Sequence, residues 1–227
     1  MTTEKSLPTI AILGGTGKEG PGLAMRWVMQ GYPIIIGSRK AEKALRIADE
    51  LNNELGIDTI RGMENGLAAR NADICVLTVV QTAHQAAIEG LKEDLRGKIL
   101  VDATARVDFR EPTPPAPPSA ARLAKSILGD QVRVVAAFQN VPAALLRKNL
   151  DQPLEDDVLI CSDDLAAVEE VSKLAESIGM KAYYAGSLDN AIVVEGLTSL
   201  LISMNKHYGS RSASIQVTGL GEESSRI

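Results

Sequence analysis

Apolar positions along the chain fall into short blocks, separated by longer stretches with helical spacing. "TIAILGG" (9–15), "YPIIIG" (32–37), "DICVLTV" (73–79), "KILVDA" (98–103) and "VRVVAAF" (132–138) are compact aliphatic runs. Runs of this kind, without polar alternation, predict strands buried on both faces. "DTIRG" (58–62) predicts a short further strand, and helices are expected over 18–30, 40–55 and 83–95. "DVLICS" (157–162), a helix over 164–178 and "KAYYAG" (181–186) continue the rhythm. The pattern predicts an α/β protein: a Rossmann-type, doubly wound, mostly parallel sheet of about eight strands.

Two segments break the alternation. "TARVDFREPTPPAPP" (104–118) carries five prolines in its last seven residues. Prolines at that density favour extended geometry, so a stiff surface connector or a rim over a ligand is expected. "NAIVVEGLTSLLISMNKHYG" (190–209) is apolar on nearly every face and predicts a helix buried in a core or a subunit interface. We divide the chain accordingly into a dinucleotide-binding domain, 1–186, and a small C-terminal helical subdomain, 187–227. A homodimer built on that helix is expected. "SASIQVTG" (212–219) is expected as a small terminal strand.

Composition narrows the function classes. The formal charge is −5 and aromatics are 3% of residues, which argues against a nucleic-acid reader. No apolar run is long enough to span a membrane, and "MTTEKSLPT" has no apolar signal core, so a cytoplasmic protein is expected. Cys75 and Cys161 lie inside strand-like runs, where buried, reduced thiols are expected. No His, Cys or Asp cluster has metal-ligand spacing, so no metal is expected.

The chemistry begins after the first strand. Gly15-Thr16-Gly17-Lys18-Glu19-Gly20 fits G-x-G-x-x-G between a strand and a helix. Gly15 allows the tight turn, Gly17 leaves room for a pyrophosphate, and Gly20 lets the helix pack closely on the strand. The phosphates then meet free N–H groups at a helix N-terminus. Pro21 is tolerated in the first helical turn. Ser38 lies 23 residues after Gly15, where an NAD-binding protein places an acid. Here Ser38 offers a hydroxyl and a helix N-cap, and Arg39 offers a planar fork for phosphate oxygens. Lys43, four residues on, rises from the same helical face as Arg39. The set predicts NADP(H).

The stretches "ILGGTGKEGPGLA", "IIIGSRKAEKA", "ADICVLTV", "LGDQVRVVAAFQNVPAALL", "VLICSDD" and "LTSLLISMNKHYG" resemble the NADPH-dependent reductases of the deazaflavin coenzyme F420. The resemblance runs through nearly the whole chain. It implies hydride exchange between NADP(H) and coenzyme F420. By that resemblance, Gly15, Thr16, Gly17, Lys18, Glu19, Ser38, Arg39 and Lys43 hold NADP. Val79, Val80 and Ala137 line the wall beside the nicotinamide. Gln139, Asn140, Val141 and Pro142 hold the deazaflavin ring, and Thr198 faces the same cleft. The chain departs from the family pattern at "VDATARVDFREP", where Arg106 and Asp108 replace apolar residues.

Hydride transfer between two flat rings asks mainly for positioning, so no catalytic acid or base is assigned. His84 is expected as a surface residue at a helix N-terminus. His207, with Lys206 and Arg211, is either a solvated helix end or a contact for an anionic coenzyme tail. Two other readings stay open: an NADPH oxidoreductase with another acceptor, such as a flavin or ferric chelate, and an NADP(H)-sensing module without turnover.

Overall fold

The computed structural model describes residues 6–220. Its strands are β1 (Ile10–Leu13), β2 (Ile34–Ser38), β3 (Arg61–Glu64), β4 (Ile74–Leu77), β5 (Ile99–Asp102), β6 (Arg133–Ala136), β7 (Asp157–Ser162) and β8 (Lys181–Tyr184). They form one sheet in the order β3-β2-β1-β4-β5-β6-β7-β8. The first six strands are parallel. β7 runs antiparallel to β6, and β8 runs parallel to β7. β1, β4 and β5 are buried at every position, because helices cover both faces.

The helices are α1 (Gly20–Met29), α2 (Ala41–Leu55), α3 (Asn65–Arg70), α4 (Gln81–Leu91), α5 (Ala120–Leu128), α6 (Ala143–Leu146), α7 (Leu165–Ser177) and α8 (Ala191–Tyr208). Alternate residues of the strands serve two apolar layers. Ile10, Ile12, Ile34, Ile36, Ile74 and Val76 join Leu23, Trp27 and Ala48 in one. Ala11, Leu13, Ile35, Cys75, Leu77 and Leu100 join Ile88, Ala121 and Ala124 in the other. Both thiols are buried and free, and burial pushes Cys75 up to about 12 and Cys161 up to about 11. They are inert packing groups, as expected from their strands.

Polar side chains fasten the layers. Trp27 donates from Nε1 to the Leu174 carbonyl at 2.9 Å and packs edge-on against Phe138. Arg26, buried on α1, donates to the carbonyls of Leu146, Lys148 and Gln152 at 3.0, 2.5 and 2.5 Å. It thereby holds the segment after α6 against α1.

Some expectations change. The expected terminal strand is not a strand: Asp157 N–H donates to the Ile215 carbonyl at 3.0 Å, but the pairing goes no further than an irregular segment. α8 is buried along only one face, through Val194, Glu195, Ser199 and Leu201. Val193, Leu200, Met204 and Tyr208 are exposed on it. No helix among the described residues is long and apolar enough to cross a membrane.

Candidate functional site

The strand order reverses between β1 and β4, since the chain moves outward to β3 and then returns to the other side of β1. In open sheets of this kind ligands bind beyond the carboxyl ends of the strands at such a switch point. The glycine turn lies there. Gly14 has φ 70°, and its N–H donates to Asn65 Oδ1 at 3.1 Å. Gly15 N–H donates to the Gly37 carbonyl at 3.0 Å, which ties the turn to β2. A Cβ on Gly20 would lie 2.6 Å from Gly15 Cα, whereas a Cβ on Gly17 would meet nothing within 4 Å. The turn is closed at Gly20 and open at Gly17, so it leaves a cradle where a pyrophosphate would sit.

Thr16 is half-buried, and Gly17 and Lys18 are exposed. Glu19 begins α1 without capping it, and its Oε1 is buried with no hydrogen-bond partner among the described residues. Burial pushes this carboxyl up to about 8. A carboxyl raised in this way opposes a phosphate at the turn less than an ordinary glutamate would.

Arg39 and Lys43 are exposed and make no ion pair or side-chain hydrogen bond among the described residues. Two cations beside the end of β2, with no carboxylate opposite them, are available to an anion. Ser38 is buried at the strand end. It does not cap α2 as expected: the N-cap is Lys40, whose N–H lies 3.4 Å from Ser38 Oγ. The turn takes two more residues than the spacing suggested.

Val79 is half-buried after β4, and Val80 is 63% exposed at the start of α4. After β6, Phe138 adopts φ 71°. A buried non-glycine residue in that region is strained, and its neighbours must hold it there. The bend turns Phe138 into the core and Gln139 and Asn140 toward β5 and α8. Gln139 Nε2 donates to the Asp102 carbonyl at 3.0 Å. Asn140 Nδ2 donates to the Val194 carbonyl and to Thr198 Oγ1, both at 3.0 Å. Thr198 Oγ1 donates to the Gln139 carbonyl at 3.1 Å. These bonds fix both amides and leave Gln139 Oε1 and Asn140 Oδ1 buried without partners among the described residues. Orphaned acceptors of this kind suit a ligand carrying N–H donors. Pro142 is half-buried, but Ala137 and Val141 are packed in the core.

His84 is not a surface residue. It is 2% exposed, and its Nε2 lies 2.6 Å from Asp102 Oδ2 at the end of β5. Asp102 Oδ1 also accepts from Thr104 N–H at 3.0 Å. Burial pulls the imidazole down, but the hydrogen bond and charge of Asp102, with the charge of Glu195, outweigh it and leave His84 above its ordinary value. Glu195, fully buried on α8, accepts from Ala120 N–H at 2.6 Å and from Arg106 N–H at 3.4 Å. Burial is the main cause that pushes it up to about 7.

Arg106 and Ala120 flank the prolines of that segment, so Glu195 holds the chain on both sides of them. The Arg106 guanidinium also binds the Ala116 and Pro118 carbonyls inside the loop. Lys206 Nζ donates to the Arg110 carbonyl at 2.6 Å. The segment is thus laid along α8, whereas His207 is exposed and stacks edge-on against Tyr208.

A family model described as NADP oxidoreductase, coenzyme F420-dependent, matches residues 9–106. The F420-dependent NADP reductase of Methanothermobacter marburgensis is 40% identical over 94% of this chain and 99% of its own. That of Methanocaldococcus jannaschii is 40% identical over 93% of this chain and 98% of its own. The chain belongs to the F420-dependent NADP reductase family. The sequence resemblance is borne out. A solved structure from Arthrobacter sp. FB24, 23% identical, shares the fold with a TM-score of 0.79, covering 93% of this chain and 100% of its own. Among the described residues of this chain, no group of three His, Cys, Asp or Glu side chains could hold a metal ion.

Proposed function

We propose that the crevice beyond β1, β2, β4 and β6 holds NADP(H) and coenzyme F420 ring to ring. The protein is an oxidoreductase that transfers a hydride reversibly between the two. On this reading the turn from Gly15 to Glu19 carries the pyrophosphate. Ser38, Arg39 and Lys43 meet the 2′-phosphate. Val79 and Val80 flank the nicotinamide, and Gln139, Asn140, Pro142 and Thr198 face the deazaflavin. Ala137 and Val141 act from behind, as packing beneath that wall.

The observation that carries the reading is the pair of orphaned amide oxygens on Gln139 and Asn140, held in place by Asp102, Val194 and Thr198. A protein that only sensed NADP(H) would need no second polar wall facing the nucleotide crevice. The protein's contribution to rate is positional: reacting carbons have to come within about 3–3.5 Å of each other. The coenzymes supply the redox chemistry when bound.

The division into 1–186 and 187–227 suits this role, with α8 supplying Thr198 and Glu195 to a crevice otherwise built by the sheet. The exposed apolar stripe of α8 supports a homodimer, and reduced, inert thiols suit a cytoplasmic enzyme. Mixing NADPH with oxidised coenzyme F420 should bleach the deazaflavin absorbance at a rate that saturates in both. Binding of NADPH with no such bleaching would assign the acceptor to another class, such as a flavin.

A further inference from the structure

α8 is held on two sides within one turn of helix. On one side, Asn140 Nδ2 donates to the Val194 carbonyl and to Thr198 Oγ1, both at 3.0 Å, and Thr198 Oγ1 donates to the Gln139 carbonyl at 3.1 Å. On the other side, Glu195 accepts from Ala120 N–H through Oε1 at 2.6 Å and from Arg106 N–H through Oε2 at 3.4 Å. The two sets close a circuit. Gln139 Nε2 donates to the Asp102 carbonyl at 3.0 Å, and Arg106 lies four residues after Asp102 on the same run of chain. From Asp102 the path runs through Gln139 and Thr198 to Glu195, and returns to Asp102 along the backbone from Arg106.

Glu195 is 0% exposed, so water cannot take over either of its bonds. A carboxylate supplies an acceptor to each backbone N–H. Glutamine has the same length but would set its own N–H donors against one of them. A buried N–H left unpaired is costly, and a small shift of α8 would relieve it. Val194 and Thr198 ride on the same turn and would move with it. Among the described residues, no hydrogen bond joins this circuit directly to the turn from Gly15 to Glu19, or to Ser38, Arg39 and Lys43.

Resting on the reading of Gln139, Asn140 and Thr198 as the wall that faces the acceptor, we propose that Glu195 is a positioning residue for hydride transfer. Its two bonds set where α8 stands against the chain leaving β5, and so how far that wall lies from the nicotinamide. The hold on NADP(H) is left to other residues.

The test uses the full chain at a pH well above 7, where the carboxyl is ionised. Glu195→Gln should weaken oxidised coenzyme F420 about ten-fold, as loss of one hydrogen bond at the wall does. Single-turnover hydride transfer should fall about a hundred-fold, the scale of a displacement of about 1 Å. The affinity for NADP+ should stay close to wild type. Glu195→Asp keeps the charge but draws both oxygens back by one methylene, so it should lose as much as Glu195→Gln. Ala120→Pro removes the N–H from the other side of the same bond. Ala120 is the first residue of α5, after an extended Ser119, where proline fits a helix. It should reproduce the losses of Glu195→Gln, and it keeps the test open if that variant fails to fold.

A double-mutant cycle separates positioning from mere support of the fold. If Glu195 acts through α8, Glu195→Gln combined with Thr198→Val should lose little more than the larger single loss. Losses that multiply overturn the proposal, as does an equal weakening of NADP+ and coenzyme F420. Wild-type behaviour in Glu195→Gln and Glu195→Asp overturns it too, and leaves the functional reading intact. A wild-type protein that binds NADPH but does not reduce coenzyme F420 overturns that reading and the proposal with it.

Discussion

The Cα of Gly15 lies 2.6 Å from the point where a side chain on Gly20 would begin. The obstacle is backbone, so it cannot swing aside. Gly17, between them, has open space. The two glycines should therefore fail differently. Gly20→Ala should displace α1 from β1 and destabilise the protein by about 1–3 kcal/mol, as overpacking does. Gly17→Ala should keep the melting temperature close to wild type but weaken NADPH, because the new methyl occupies the cradle. Calorimetry and a binding titration on both variants check this, and equal loss of stability would refute it.

Arg39 lies exposed beyond β2 with no carboxylate partner among the described residues. A hydrogen bond to a charged group contributes about 1.5–3 kcal/mol. Arg39→Ala should weaken NADPH about ten- to hundred-fold, with little change for NADH. Isothermal titration with both coenzymes decides it. Parallel losses would mean that Arg39 supports the fold and not the 2′-phosphate.

Val80 is exposed at the start of α4, while Val141 is buried in the core. A bulky residue at Val141 would report on packing, so the test of ring spacing belongs at Val80. Val80→Trp should fold normally and lower single-turnover hydride transfer about a hundred-fold or more, since displacements of about 1 Å can cost that much. An unaltered rate would move the nicotinamide away from Val80.

Val193, Leu200, Met204 and Tyr208 make an exposed apolar stripe along α8. Light scattering at micromolar concentration should report a dimer. Leu200→Glu with Met204→Glu should give a folded monomer. A wild-type monomer would leave the stripe without this role.

Glu195 changes its charge across the neutral range. Its folded value is raised to about 7 from 4.5, mainly by burial. The stability it contributes is fully present below pH 4.5 and is lost as pH rises through 7. The loss should reach about 3 kcal/mol, at 1.36 kcal/mol per unit. The difference in urea stability between wild type and Glu195→Gln should shift by that amount in favour of the glutamine between pH 4.5 and 7.5. A constant difference would show that the carboxyl does not titrate there.

The sheet was legible because its strands are apolar on both faces, and that pattern survives without any partner information. The direction of β7 was not, since a buried strand carries the same residues whichever way it runs. α3 has six residues, too few to show a helical period. α5 follows directly on a proline-rich run and was hidden by it. In the site, the glycine turn and the Arg39–Lys43 pair stood out because their spacing is local. His84 did not, because its partner is eighteen residues away, on the strand that follows its helix. The usable signal was an aspartate ending the apolar run "KILVDA" beside a histidine opening the preceding helix. The reading of Ser38 as a cap failed because spacing fixes a turn only to within a residue or two.

Glu195 accepts from Arg106 and Ala120, and so fastens both feet of the proline-rich segment to one buried point. What lies between is a handle. Its length is uncoupled from β5 and α5, and doubling a pinned loop adds only about 0.6 kcal/mol of closure cost. The segment laid along α8 can be lengthened, shortened or recharged without disturbing the sheet beneath it, because no strand depends on it.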